Sequence, residues 1–216
     1  MDDIATHFAP ELWDELPDYF DHLPEPVRLH LWADGQASPA EGEAFRLLRA
    51  LSGRFEQLSL HLYPRRVNYP YYPVIGAFGL QADGPLDYGV RIIGLPAGYQ
   101  MTSLVAAVQS VAFRGTTSEA RTRIMLHRLA ADVTIEIISA ADDEAGAQVA
   151  QLAFNLAVAS PHVRSYLVVS DAFPEALVRH SVRELPHVVV NGRLHLEGPR
   201  AEAAWVDQIL GPYLGV

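Results

Sequence analysis

Apolar and polar residues alternate with a period of two through Val27-Arg-Leu-His-Leu-Trp32 and again through Leu58-Ser-Leu-His-Leu-Tyr63, which predicts two half-buried strands. Between them Phe45, Leu47, Leu48 and Leu51 recur at helical spacing and predict a helix ending near Gly53. Upstream, Leu12, Leu16 and Phe20 mark a short amphipathic helix over residues 9–20 despite Pro17, placed as an N-terminal lid. After the turn-rich RRVNYPYY come Pro73–Leu80, a Gln-Ala-Asp-Gly-Pro turn and Tyr88–Ile93, which read as a hairpin. A helix through Leu104, Val105, Val108 and Val111 closes this first half, whose order is β-α-β-β-β-α.

Thr116-Thr-Ser-Glu119 has the spacing of a capping box and predicts a connector helix running to about Ala131. Beyond it the pattern returns. A strand is expected over Val133–Ile138, a helix from about Asp143 to Val158, a strand over Val163–Val169 and a short helix near Pro174–His180. Strand His187–Val190, the Asn191-Gly192 turn, strand Leu194–Leu196 and a last helix from Pro199 to Leu214 follow. The second half is β-α-β-α-β-β-α.

The two halves follow one plan used twice. From Val27 to Pro73 is 46 residues, and from Val133 to Pro186 is 53. The difference of seven matches a helix that RRVNYPYY is too short and too proline-rich to contain. The expected organisation is an N-terminal helical extension over 1–24, one unit over 25–115, and a second over 116–216 that includes the connector.

Composition narrows the chemistry. Half of the 216 residues are apolar, enough for a substantial core. The net charge is −10 and the sixteen basic residues are scattered, so nucleic acid is not an expected partner. MDDIATHFAPELWDEL has neither a basic start nor a long apolar run, and reads as neither signal peptide nor membrane span; the expectation is a soluble, cytoplasmic protein without membrane contact. There is no cysteine, which removes disulfides, thiolate metal sites and intrinsic dithiol–disulfide chemistry together.

A β-α-β-α-β-β-α order with a proline directly before the third strand resembles the thioredoxin/glutaredoxin fold. The doubled plan resembles the tandem-thioredoxin protein disulfide oxidoreductases and, more distantly, the N-terminal domain of the flavoproteins that reduce peroxiredoxins. Tyr88-Gly-Val-Arg-Ile-Ile-Gly-Leu-Pro-Ala-Gly-Tyr-Gln-Met-Thr-Ser-Leu104 carries this resemblance in the first half, and Leu185-Pro-His-Val-Val-Val-Asn-Gly-Arg-Leu-His-Leu-Glu-Gly198 in the second. It implies an α/β chain of two tandem thioredoxin-like units, each a mixed central sheet flanked by helices, the first lacking one helix, plus the N-terminal helix. The family keeps a Cys-x-x-Cys at the start of the first helix of one or both units. Those positions fall on Ala37 and Ala40 in the first half, and on Asp143 and Gly146 in the second. Both redox centres are missing, and dithiol exchange requires sulfur. The resemblance also places Pro73 and Pro186 where relatives keep a cis proline, with Tyr72 and Leu185 in the preceding position that offers its backbone to an extended peptide.

Ser38-Pro39-Ala40-Glu41 reads as a capping box with proline at the first helical position. The alternative role for Ser38 is a hydrogen bond to the sulfur of an external thiol such as glutathione. Asp142-Asp143-Glu144 places three carboxylates at a helix start, where capping and solubility are the expected roles. His30 with His61, and His187 with His195, are pairs without the third ligand that zinc needs, so no metal is expected, and no cofactor is implied. The Tyr69–Pro73 aromatics are read as stapling their loop to the core.

The favoured functional expectation is a redox-inactive protein- or peptide-binding or scaffold module using the groove around Ser38, Tyr72, Pro73, Leu185 and Pro186, its partner unnamed. The competing expectation is a transferase- or glutaredoxin-like enzyme that borrows an external thiol at Ser38. A third is an assembly role as a homodimer, through the acidic surface and the helix around Trp13.

Overall fold

The computed structural model describes residues 10–34, 38–115 and 119–215. Helix α1 (Pro10–Phe20) turns Leu16 and Phe20 fully into the core. Pro17 lies inside it and cannot donate to the Trp13 carbonyl four residues back. The Arg54 guanidinium, from the end of the next helix, supplies that donor at 3.0 Å, which explains how the helix survives its proline.

The chain continues through β1 (Val27–Trp32), α2 (Pro39–Arg54), β2 (Leu58–Tyr63), β3 (Val74–Gln81), β4 (Gly84–Ile93) and α3 (Gln100–Ala112). After α4 (Ala120–His127) come β5 (Val133–Ser139), α5 (Glu144–Ala159), β6 (Val163–Val169), α6 (Pro174–Arg179), β7 (His187–Val190), β8 (Leu194–Glu197) and α7 (Glu202–Leu210). This is the order the hydrophobic pattern predicts, and no helix occupies residues 64–73.

Several boundaries differ, each for a local reason. Strand β4 begins at Gly84, so the hairpin loop is only Ala82-Asp83 and Pro85 lies within a strand, paired with Leu80. That is tolerated because β6 pairs only with Val90–Ile93 and leaves the first part of β4 an open edge. The connector α4 stops at His127, and its last carbonyls are met by a 3-10 turn and by a bridge from Leu129 to Leu214. Residues 116–118 of its expected capping box lie outside the described residues. The final helix is split, with α7 ending at Leu210 and Gly211–Tyr213 forming a 3-10 turn around Pro212. In the β7–β8 hairpin, Asn191 and Gly192 adopt φ of 50° and 65°, the left-handed backbone for which these residue types are suited.

All eight strands form a single mixed sheet in the order β2-β1-β3-β4-β6-β5-β7-β8. Each half contributes four strands in the same order (second, first, third, fourth), and the halves join where β4 runs parallel to β6. One face carries Leu29, Leu31, Ile75, Ala77, Val90, Ile92, Ile135, Ile137, Leu167 and Val188, all buried beneath the helices in one continuous core. Helices α3 and α5 pack against each other over the seam. The opposite face bears a second cluster around Trp32, Val74, Phe78, Ile93, Val168 and Phe173. In the second half α6 contributes Ala176 to that cluster; in the first half Tyr69, Tyr71 and Tyr72 of the irregular 64–73 segment lie over it.

The sheet directions bring the carboxyl ends of β1 and β5 to the same margin. There the strands lead into α2 and α5, and the residues before β3 and β7 lie beside them. The Tyr72–Pro73 and Leu185–Pro186 peptide bonds are cis. In each half the glycine that ends the fourth strand donates its N–H to the proline carbonyl, Gly94 to Pro73 at 2.8 Å and Gly198 to Pro186 at 3.0 Å.

Candidate functional site at two helix starts

The first helix start is capped by Ser38, whose Oγ accepts from the Glu41 N–H at 3.3 Å, with Pro39 at the first helical position. Glu41 does more than complete a capping box. Its carboxylate is fully buried and accepts from the Ser38 hydroxyl at 2.9 Å, from the Asp34 N–H, and from the Arg65 guanidinium, whose Nε lies 3.1 Å from Oε2 while Nη2 approaches Oε1. Burial pushes the Glu41 pKa up, but these hydrogen bonds together outweigh it and hold the carboxyl below its ordinary value. The Arg65 guanidinium in turn lies 5.0 Å from the Tyr72 ring centre, and the Tyr72 hydroxyl bonds to the backbone N–H and carbonyl of Arg66. Ser38, Glu41, Arg65, Tyr72 and Pro73 thus form one connected group. Ala40 is half-exposed beside it, and Ala37 lies outside the described residues.

Arginine and aromatic side chains continue from this group across the open sheet face. Arg66 lies 5.3 Å from the Trp32 ring centre and 5.8 Å from that of Tyr63. Arg91, buried and paired with Asp87 at 2.6 Å, lies 5.1 Å from Trp32 and 4.8 Å from Phe78 and donates from Nε to the Tyr69 hydroxyl at 3.0 Å. His30 stacks on Phe78 at 3.8 Å, and its pKa falls to about 4, first because burial disfavours the charged ring and then through His61, Arg91 and Arg28. His30 and His61 are directly paired across β1 and β2.

The second helix start is built differently. Asp143 caps α5, accepting from the Gly146 N–H through Oδ1 and from the Ser139 hydroxyl through Oδ2, each at 2.9 Å. The loop before it is tied down from three directions. Gln100, fully buried, donates from Nε2 to Ser139 Oγ, the Ala140 carbonyl and the Asp143 carbonyl at 2.9, 2.8 and 3.1 Å. Tyr99 N–H reaches the Ala141 carbonyl, and Asp171 accepts from the Ala141 N–H, both at 2.8 Å. A Cβ on Gly98 would collide with that Ala141 carbonyl. At Gly146 a Cβ would stand 2.7 Å from Ser139 Cβ and nearer still to Ser139 Oγ and Asp143 Oδ2. Gly146, where the sequence resemblance expects a cysteine, therefore has no room for any side chain. Asp142 and Glu144 are exposed, and Leu185 half-exposed.

Among the described residues no group of three His, Cys, Asp or Glu is arranged to hold a metal ion. His187 and His195 do touch, at 2.9 Å, with Glu197 Oε1 3.2 Å from His187 Nδ1. Burial, then His195, lowers the His187 pKa. Trp13 is packed against the core with Arg54 5.2 Å over its ring, so it is not a free docking residue. No helix among the described residues is long and apolar enough to cross a membrane. Sequence reasoning missed Arg65, Gln100 and the Arg91–Asp87 pair. The one usable signal was Gln100, an amide that opens a helix rich in apolar residues.

No family model and no curated protein matches this sequence. Solved structures do. The NTD_N/C domain of alkylhydroperoxide reductase AhpF from Enterococcus faecalis superposes with a TM-score of 0.83 at 20% identity, covering 93% of this chain and 98% of that one. A protein disulfide oxidoreductase from Aeropyrum pernix gives 0.79 at 20% identity, covering 95% of each chain. Sso1120 from Sulfolobus solfataricus gives 0.60 at 10% identity, covering 85% of this chain and 97% of that one. These likenesses establish the fold: an α/β chain with thioredoxin-like architecture in tandem, and one without cysteine.

Proposed function

We propose that this chain is a redox-inactive, tandem thioredoxin-like binding module made of two units meeting near residue 116, and that it takes an extended peptide segment along Tyr72–Pro73 at the start of α2. The observation that carries this reading is the connected group Ser38–Glu41–Arg65–Tyr72, a built helix start and strand entry in a chain without cysteine. Arg65 is 42% exposed beside Tyr72, and Arg66 and half-buried Tyr63, Tyr69 and Tyr71 extend the surface, so the favoured segment is one bearing acidic and aromatic side chains. Leu185 and Pro186 form the equivalent entry in the second half. Its neighbouring loop already spends its backbone on Gln100, Tyr99 and Asp171, which makes it the lesser site.

The external-thiol reading fits the geometry less well. Ser38 directs its hydroxyl proton to the Glu41 carboxylate, leaving no donor for a bound thiolate. Calorimetry with millimolar glutathione is expected to show no heat of binding. The binding reading is tested by selecting peptides from a random library on the whole chain and mapping the tightest by amide chemical shifts. Perturbations at Ser38–Glu41 and Tyr71–Val74 are the expected result; perturbations confined elsewhere, or insulin reduction above a buffer blank, would overturn it.

A further inference from the structure

The sheet has two ends, and they are not alike. At one, β8 is four residues long and carries Glu197. At the other, β2 is six residues, LSLHLY, with no proline, glycine or formal charge among them. Natural edge strands are usually guarded by charge, proline, a bulge or brevity, and β2 has none of these devices. The strand that occupies its place in the second half is β6, whose outer side is covered by β4. The outer side of β2 has no such cover among the described residues.

The backbone groups available there can be assigned. Val27 N–H donates to the Gln57 carbonyl and Ala33 N–H to that of Tyr63, so Gln57, Ser59, His61 and Tyr63 turn their amide groups toward β1. Leu60 and Leu62 consequently present both groups outward, and Leu58 its carbonyl, its N–H donating to the Phe55 carbonyl at 3.0 Å. The sequence Leu58-Ser-Leu-His-Leu62 reads the same in apolar and polar pattern from either end, with Leu60 at its centre. Leu62 is 52% exposed, while Ser59 Oγ is shielded from solvent without a hydrogen-bond partner.

We infer that β2 pairs antiparallel with β2 of a second copy of this chain, across a two-fold axis at Leu60, to give a continuous sheet of sixteen strands. In that register Leu60 faces Leu60, and Leu58 faces Leu62 of the second copy, so the Leu60 N–H groups meet Leu60 carbonyls and each Leu62 N–H meets a Leu58 carbonyl, four hydrogen bonds in all, while the Leu58 N–H keeps its bond to Phe55. The three leucines form one apolar ladder on the helix-bearing face, covering Leu62. Ser59 comes opposite His61 of the second copy, in the non-hydrogen-bonded pairs where side chains approach most closely.

The absence of cysteine makes the test clean, because any disulfide in a single-cysteine variant must join two chains. Leu60→Cys places two thiols at the axis with Cα atoms about 5.5 Å apart, within the range a disulfide spans. Sedimentation of the wild-type chain is expected to show a species of twice 23.8 kDa growing with concentration. Mild oxidation should crosslink Leu60→Cys at least tenfold faster than Leu194→Cys on the opposite edge. Leu62→Lys should sediment as a single chain and melt at the temperature the parent shows at concentrations where it too is a single chain. The inference is overturned by a wild-type chain of single mass at every concentration, as when residues 1–9 of the same chain cover the edge. It is equally overturned by head-to-tail assemblies larger than a dimer, by equal crosslinking of the two edges, or by a dimer that survives Leu62→Lys.

Discussion

The starts of α2 and α5 occupy equivalent places in the two halves of the sheet, yet they hold their backbone in place by different means. At α2 the cap is small and neutral, and the charge that stabilises it is a buried carboxylate answered by a half-exposed arginine that also touches Tyr72. At α5 the cap is itself a carboxylate, locked by Ser139, and the preceding loop is sewn to the seam between the halves by Gln100. Both positions lack sulfur, so the difference is not one of lost chemistry. It lies in what the space became: at α2 a surface with arginine and tyrosine side chains, at α5 a packed joint. A helix N-terminus supplies free amides and a favourable dipole for an anion in either case; the surrounding side chains decide whether that potential is available or consumed.

The contrast breaks most readily at Gly146 and Ala40, which hold corresponding places in the two expected motifs. Gly146→Cys must displace Ser139 and Asp143, and urea unfolding should show a loss of about 3 kcal/mol. Ala40→Cys, at a half-exposed site, should stay within about 0.5 kcal/mol of the parent. Equal losses would erase the distinction. Gln100→Leu keeps the packing but removes the donor for Ala140 and Asp143, and is expected to cost about 2 kcal/mol, with hydrogen exchange rising in residues 139–143 and not at the start of α2.

Arg65→Ala sharpens the comparison from the other side. It leaves Glu41 buried with only Ser38 and Asp34 as partners, a loss of about 1.5 kcal/mol at neutral pH. The folded-state pKa of Glu41 is depressed, so its contribution is complete above its ordinary 4.5 and disappears as the pH falls through the lower folded value. Acid titration of stability should therefore be shallower below pH 4.5 in Arg65→Ala than in the parent.

The smallest effect is expected at His30, buried beside Phe78. Its folded pKa of about 4 lies below the ordinary 6.5, so the unfolded chain binds more protons between these values and stability falls as the pH drops from 6.5 to 4. His30→Phe should be nearly neutral at pH 7.5 and should remove that part of the slope. An unchanged slope would mean that His30 is not held neutral by its burial.

Periodicity was enough to read the strands and helices, because each element buries one face and its period records that burial. Leu29 and Leu31 against His30 and Trp32, or Ala150, Ala153 and Ala157 along α5, are legible for that reason. The fusion of both halves into one sheet was not legible, since the Val90–Ile93 pairing with Ser165–Val168 leaves no mark in either strand's pattern. The caps at Ser38 and Asp143 were readable from residue type and position. The Glu41–Arg65 pair was not, because 24 residues and an irregular loop separate its members, and Glu41 already had an adequate local explanation. Gly146 shows the opposite case: a glycine in a first helical turn is a weak signal alone, and only the position of Ser139 reveals why nothing larger fits.

The central claim, that the α2 start and Tyr72 form the binding surface while the α5 start is closed, is tested most directly by calorimetry. A library-selected peptide would be titrated into the parent chain, Tyr72→Ala and Leu185→Ala. The account predicts at least a tenfold loss of affinity, about 1.4 kcal/mol, in Tyr72→Ala and parental affinity in Leu185→Ala. Equal losses in both variants, or a loss in Leu185→Ala alone, would contradict it.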